Sequence, residues 1–303
     1  MAAEDAVPHV HAVVVNYNTG SRLIDCVRAL LAETGFELIW VVDNASVDGS
    51  LAALEAEFGA DVRLRILRNT ANLGFGAANN RALRQARDVD WLLVNPDCML
   101  HPGSLQAFRT CRGEHGHAGL LGGLVSNPDG SEQRGCRRDL PGVGNSLLRS
   151  LGMGRVLPRR SWNDFDHTGT PLPAAPVRVG AVSGALMYLA AEALHDIGDF
   201  DEGYFLHCED LDLCKRMADG GWEVWFVPGT RAVHFQGTSS RRTPARVEWH
   251  KHRGMWRYFT KFQRAASPLW LVALVWLGIW CRFLLLVPTT WCASLRSVHA
   301  RGA

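Results

Sequence analysis

Val10-His-Ala-Val-Val-Val-Asn16-Tyr-Asn18-Thr-Gly20 decides how the chain of 303 residues is read. Residues 10–15 are apolar except His11 and rich in β-branched side chains, and the run stops abruptly at polar residues. That is the mark of a buried strand feeding a polar loop. The same phrase recurs downstream. Leu38–Val42 ends at Asp43-Asn44-Ala45-Ser46, and Trp91–Val94 ends at Asn95-Pro96-Asp97, with Val62–Leu67 a further strand between them. Ser21–Glu33, Val47–Phe58 and Leu73–Arg87 carry apolar residues at helical spacing in the intervals. Strand and helix alternating at short intervals predict an α/β domain, Rossmann-like, with a mostly parallel central sheet and helices on both faces.

In such sheets ligands bind beyond the carboxyl ends of the strands. A lone Asn or Asp there is usually a turn former. Asn16 and Asn18, Asp43 and Asn44, and Asn95 and Asp97 fall on one edge, which marks it as the ligand edge. Farther along, Pro102–Arg112 reads as a helix, and Leu120–Val125 followed by Asn127-Pro-Asp-Gly130 as a strand and hairpin. The Pro-, Gly- and Arg-rich stretch Pro141–Pro176 is either a mobile loop over the site or a surface insertion. Val177–Leu189 returns to strand character, Ala190–Ile197 to helix, and Trp222–Val227 and Arg231–Phe235 to short strands.

Between these lies Phe200-Asp-Glu-Gly-Tyr-Phe-Leu-His-Cys-Glu-Asp-Leu-Asp-Leu-Cys-Lys-Arg216. Leu211, Cys214 and Ala218 recur at helical spacing, so Glu209 and Asp210 sit where a helix begins. One acid there would complement the helix dipole. Three, Glu209, Asp210 and Asp212, beside an aromatic run suggest a cleft wall with a partly desolvated carboxylate able to act as a base.

Taken in order, the strand-end motifs, Asp48-Gly-Ser50, Asn72-Leu-Gly74-Phe-Gly76, Gly-Asp-Phe-Asp201-Glu-x-Tyr-Phe, Glu209-Asp210-x-Asp212-Leu and His234 resemble family 2 glycosyltransferases of the GT-A fold. The likeness is greatest to a rhamnosyltransferase-like branch acting in bacterial surface polysaccharide assembly, and it spans about Val10 to Ser239. It implies an inverting transfer from a nucleotide-diphosphate sugar (dTDP-, UDP- or GDP-linked) to a glycan or polyprenyl-diphosphate-linked acceptor. Asp43, with Asn16, Asn18 and Asn44, would hold the nucleotide. Gly74 and Gly76 would let backbone approach it. Asn95-Pro96-Asp97 stands where the family has an Asp-x-Asp motif. Asp97 with His234 would then hold a divalent ion, Mg²⁺ or Mn²⁺. Asn95 replaces the first acid of that motif, which leaves strict metal dependence open. Asp210 would be the base, with Glu209 the alternative, and Ser183 and Gly184 would form the floor beneath donor or acceptor. Asp212 is expected to pair with Lys215 or Arg216, Asp201 to shape the turn before Tyr204, and Trp222 to fill core. A catalytically decayed sugar-nucleotide-binding scaffold is the competing reading. A nucleotidyltransferase would need a lysine in the loop after the first strand, and Asn16–Gly20 has none.

Composition narrows the setting. At 47% hydrophobic and 20% charged the chain is globular. Its eight cysteines form no Cys-x-x-Cys pair, which points to reduced thiols in a cytosolic protein. The N-terminus has no apolar signal region. The net charge of +2 hides a basic tail, in which Glu248 is the sole acid after Glu223. Its Arg241, Arg242, Arg246, Lys251, Arg253, Arg257, Lys261 and Arg264 alternate with aromatic residues, and an apolar run, Leu269–Cys281, follows. Residues 1–240 are thus read as the GT-A domain and 241–303 as a helical, membrane-associating region. The apolar segment lies in the interface, spans the bilayer, or packs as a dimer or core helix. No nucleic-acid module is recognisable. The expected location is the cytoplasmic face of the plasma membrane.

Overall fold

The computed structural model describes residues 9–142, 165–235 and 244–299, the side chains of the last helix through Leu286. Residues 143–164 of the Pro- and Gly-rich stretch, and Arg241 and Arg242 of the basic run, lie outside the described residues.

The first half alternates as expected: β1 (Val10–Asn16), α1 (Arg22–Ala32), β2 (Phe36–Asp43), α2 (Ser50–Phe58), β3 (Leu64–Arg68), α3 (Phe75–Leu83) and β4 (Asp90–Val94). β1 is buried along its whole length because helices cover both faces of the sheet. Its side chains alternate between two cores, as the pleat requires. Val10, Ala12 and Val14 join α1 on one face, and Val13 and Val15 join α3 on the other. α1 contributes Leu23, Cys26, Val27 and Leu30, one helical stripe. β1 pairs in parallel with β2 and β4, and β2 with β3. The register sets Asn16 beside Asp43, so the polar strand ends fall on one edge.

Two helices start later than their apolar periods suggest. Asp48 accepts from the Ser50 N–H and hydroxyl, and Gly49 at φ 80° turns the chain, so α2 begins at Ser50 and leaves Val47 exposed. α3 begins only after Gly74 and ends before the expected Arg87, where Arg84 and Arg87 reach across to Asp199 and Glu202.

The second half comprises β5 (Cys98–Leu100), α4 (Ser104–Glu114), β6 (Ala118–Ser126), β7 (Arg137–Arg138), β8 (Val177–Arg178), β9 (Ala181–Val182), β10 (Leu186–Leu189), α5 (Ala191–Ile197), α6 (Glu209–Asp219), β11 (Glu223–His234), α7 (Pro244–Phe262) and α8 (Leu269–His299). The large sheet runs β3-β2-β1-β4-β10-β6-β11-β5, with β8 on β11; β7 and β9 form a separate pair. It is parallel through β1–β4 and mixed beyond, because β10 returns antiparallel between β4 and β6. The apolar run Val177–Leu189 is three short strands and not one. Gly180 packs against the backbone of Asp139 and Leu140, and Ser183-Gly184 bends the chain into β10. The two strands expected at 222–235 are instead one, β11, with a register shift between Val227 and Arg231. Trp222 is half-buried, its indole N–H donating to Asp196 at 3.0 Å.

The basic tail is helical, as its periodicity suggests, and packing crosses the expected boundary at residue 240. Tyr258 of α7 is buried in the same core as Leu213, Cys214 and Met217 of α6. α8 packs back on α7 through Phe259, Val275 and Ile279. Trp249 lies against Trp280 and Phe283. By length and composition α8 can cross a membrane: over Leu269–Leu286 its mean hydropathy is 2.2. Only 17% of that window is buried, which separates it from a core helix.

Candidate active site

The ligand edge begins with a closed polar network. The Asn16 amide donates to Asp43 Oδ1 at 2.8 Å, to Ser46 Oγ at 3.1 Å and to Ser50 Oγ at 2.9 Å. Asp43 Oδ2 accepts from the Ser46 N–H at 3.0 Å. Asn18, at φ 52°, accepts from the Val47 N–H, while its own N–H donates to Ser46 Oγ. Asn16 Oδ1 is buried with no protein partner, an acceptor aimed at this edge. Asn44 is turned the other way. It donates to the Gly74 carbonyl at 3.0 Å and accepts from Asn69, fixing the loop that enters α3.

The two glycines of that loop make room for protein. A Cβ on Gly74 would stand 2.2 Å from the Phe205 carbonyl oxygen, and its φ is 88°. A Cβ on Gly76 would meet the Phe200 side chain at 3.1 Å. The Phe75 N–H donates to the same Phe205 carbonyl, so it is not free for a phosphate. The close approach these glycines allow ties the loop before the acidic helix to α3.

At the end of β4, Asp97 Oδ1 lies 2.9 Å from His234 Nε2, and Asn95 Nδ2 lies 3.5 Å from the same nitrogen. His234 Nδ1 faces Gln133 Oε1 at 2.8 Å. A neutral imidazole that donates from Nδ1 to that amide oxygen turns the lone pair of Nε2 towards Asp97. Two acceptors at that distance need a proton or a cation between them. Neighbouring ligands about 2.1 Å from an octahedral ion stand about 3 Å apart, so the pair fits a divalent cation. Cys98 is close by, but its thiol is fully buried, and burial together with the Asp97 charge holds it protonated. A hard ion would leave it out.

The acidic stretch resolves into three roles. His207 and Cys208 adopt positive φ (67° and 71°) and swing Glu209 and Asp210 to the head of α6. Asp210 sits near Gly184, where an added Cβ would stand 3.6 Å from the Asp210 Cβ, an ordinary contact. Its Oδ1 accepts from the Leu211 N–H, and its Oδ2 pairs with the Arg138 guanidinium. Glu209 is buried, and its Oε2 has no partner. Burial and then the Asp210 charge push its carboxyl well above the usual range, so at neutral pH it holds its proton. Asp212 is fully buried and accepts from Arg216 Nε at 2.7 Å and Lys261 Nζ at 2.7 Å. Of its two expected partners Arg216 is correct, and Lys215 pairs with Asp219. Asp201 accepts from the Gly203 N–H in the turn before Tyr204 and also binds Arg257 and Lys261.

One cleft of about 660 Å³ joins these groups. Asn95, Ser183, Gly184, Glu209, Asp210 and His234 line it from the sheet side, and α7 and α8 wall it opposite. The Asn16–Asp43 network does not reach it.

A family model described as glycosyltransferase-like family 2 matches residues 8–256. The chain belongs to that family. This glycosyltransferase is 32% identical over 272 residues to an N-acetylglucosaminyl-diphospho-decaprenol L-rhamnosyltransferase of Mycobacterium tuberculosis, covering 81% of this chain and 85% of that protein. Two solved structures share its fold at 16% identity, each with a TM-score of 0.59. One is the mannosyltransferase PcManGT from Pyrobaculum calidifontis in complex with GDP-Man and Mn²⁺, matched over 99% of this chain and 77% of that one. The other is GalNAc-T7 with UDP, GalNAc and Mn²⁺, matched over 88% of this chain and 52% of that one.

Three residues of the glycosyltransferase site escaped the sequence reading. Arg138 lies in a polar run read only as hairpin, and its sole signal is the Cys136-Arg-Arg138 cluster ahead of the Pro- and Gly-rich stretch. Gln133 carries no local signal. Lys261 was grouped with the cations awaiting an anionic partner, yet it is held internally by Asp201 and Asp212.

Proposed function

We propose that this glycosyltransferase is an inverting rhamnosyltransferase. It takes L-rhamnose from a nucleotide-diphosphate sugar, dTDP-rhamnose foremost, to a glycan acceptor carried on a polyprenyl diphosphate in cell-surface polysaccharide assembly. The relative in M. tuberculosis supports the sugar and the lipid carrier. The observation that carries the chemistry is the placement of Asp210 in one cleft with Asn95 and His234.

Asp43, with Asn16 and Asn18, holds the nucleoside. Asp97 and His234 are the residues that would hold a divalent ion, Mn²⁺ or Mg²⁺, and such an ion supplies positive charge against the donor diphosphate. Gln133 keeps His234 in the tautomer this needs. Gly184 and Ser183 form the floor on which the reacting groups meet. Asp210 takes the proton from an acceptor hydroxyl as that oxygen bonds to the anomeric carbon, and the bond from that carbon to the diphosphate breaks on the opposite face. The nucleoside diphosphate leaves, and the configuration inverts, with no covalent sugar–enzyme intermediate. Glu209, held protonated, donates or packs and is not the base. The exposed apolar face of α8 and a lipid-carried acceptor both support a location at the cytoplasmic face of the plasma membrane.

The test is a panel of nucleotide sugars, with and without Mn²⁺, read first by thermal stabilisation and then by transfer to a prenyl-diphosphate-linked N-acetylglucosamine. The expected outcome is selective stabilisation by dTDP-rhamnose and a product of inverted configuration. Donor binding with neither transfer nor hydrolysis would identify a decayed scaffold instead.

A further inference from the structure

The cleft has a second half that donor chemistry does not use. Its far wall is built by one stripe of each tail helix: Lys251, Met255 and Phe259 of α7, and Val275, Ile279 and Arg282 of α8. Spacings of four and four residues in α7, and of four and three in α8, keep each stripe on one helix face. Each stripe is apolar with a cation at one end. The outward side of α8 is apolar too, with Leu274, Leu277, Leu284 and Leu285 exposed.

Three of the cleft cations have a protein partner: Arg134 pairs with Asp166, Arg138 with Asp210, and Lys251 with Glu248 at 3.5 Å. Arg282 has no ion pair among the described residues. Of the acids lining the cleft, Glu209 is uncharged at neutral pH, which leaves Asp166 and Asp210 against Arg134, Arg138, Lys251 and Arg282. The excess is positive and lies where an apolar groove begins. A ligand complementary to this wall carries a compact multiple negative charge joined to a hydrocarbon chain.

We infer that this half of the cleft is the seat of the acceptor's prenyl diphosphate: Lys251 and Arg282 bind the diphosphate, and the apolar wall beside them, Met255 with the cleft-lining edges of Phe259 and Ile279, takes the first isoprene unit. The inference rests on the acceptor class proposed above and adds the residues that read it. It places the acceptor sugar next to Asp210, since the same cleft holds both. The chain of the lipid leaves along the exposed apolar side of α8.

The test is binding, separate from turnover. The full chain in detergent micelles is titrated with farnesyl diphosphate, farnesol and inorganic diphosphate. Farnesyl diphosphate is expected to bind at least about tenfold tighter than either part, since charge and groove act together. Lys251→Ala and Arg282→Ala are each expected to weaken it about tenfold and to leave dTDP affinity unchanged. Farnesol binding as tightly as the diphosphate, or inorganic diphosphate doing so, overturns the inference on the wild-type protein alone, whatever the variants do. Equal loss of dTDP affinity in the variants also overturns it, because the cations would then serve the donor. Selective prenyl-diphosphate binding without transfer from any nucleotide sugar would keep the cleft assignment and sink the rhamnosyltransferase reading.

Discussion

Replacing Lys261 by Met tests whether the tail and the acidic helix form one unit. Lys261 Nζ lies 2.8 Å from Asp201 Oδ2 and 2.7 Å from Asp212 Oδ2. Methionine keeps most of the apolar stem and removes the charge. Neither carboxylate is stranded, because Asp212 keeps Arg216 and Asp201 keeps Arg257. The loss is therefore smaller than the ~3–5 kcal/mol expected when a buried charge loses its only partner. A charge-assisted hydrogen bond contributes about 1.5–3 kcal/mol, and Lys261 is about a third exposed, so screening reduces this to about 1–2 kcal/mol. Urea unfolding of the full chain in detergent should report that loss. Lys215→Met, which breaks only the surface pair with Asp219, should cost no more than about 0.5 kcal/mol. The double variant Arg216→Met/Lys261→Met leaves Asp212 buried without a cation and should lose more than the sum of the two singles. If Lys261→Met matches Lys215→Met and the double variant is merely additive, the tail is not anchored through Asp212.

Asp210→Asn should lower transfer by at least about a hundredfold while the dissociation constant for dTDP stays put, as removal of a general base predicts. Glu209→Gln should retain most activity. Its stability relative to wild type should rise with pH, because the folded state holds the Glu209 proton above 4.5 while the unfolded chain releases it; wild type thus loses stability from that pH through neutrality, and below it the two should match. Gln133→Leu should weaken Mn²⁺ binding by about 10–100-fold, measured by electron paramagnetic resonance titration, with dTDP affinity in metal-free buffer unchanged. Asp201 behaves oppositely to Glu209. Burial alone would raise its carboxyl, but hydrogen bonds from Arg257 and Lys261 outweigh burial and hold it at about 2, so stability tied to this contact persists above pH 3.8 and is lost as pH falls towards 2, a loss that Asp201→Asn should abolish in acid unfolding.

The alternating half of the fold was legible because each strand is an unbroken apolar run with a polar stop, a pattern that burial on both faces imposes. β10 and β11 were less so. Whether Val177–Leu189 is one strand or three depends on contacts of Gly180 with Asp139 and Leu140, some forty residues away, which no local period reports. At the site, Asp97, His234 and Asp210 were named from motifs; the structure brings His234 and Asp210 to one cleft and sets Asp97 beside His234. Gln133 and Arg138 were not: Gln133 acts from a loop and Arg138 from the two-residue strand β7, each through a partner far along the chain, 101 residues away for Gln133 and 72 for Arg138. Gly74 and Gly76 were legible as obligatory glycines. Their protein neighbours were not: Gly74 admits the Phe205 backbone and Gly76 the Phe200 side chain.

α7 and α8 contribute Lys251, Phe259, Val275, Ile279 and Arg282 to the cleft, while α7 holds α6 through Lys261. The helices proposed above to meet the membrane are thus also part of the reaction vessel. On that reading they cannot be exchanged for another anchor, nor clipped off, without removing a side of the vessel. Engineering that aims to relocate this transferase must carry both helices along.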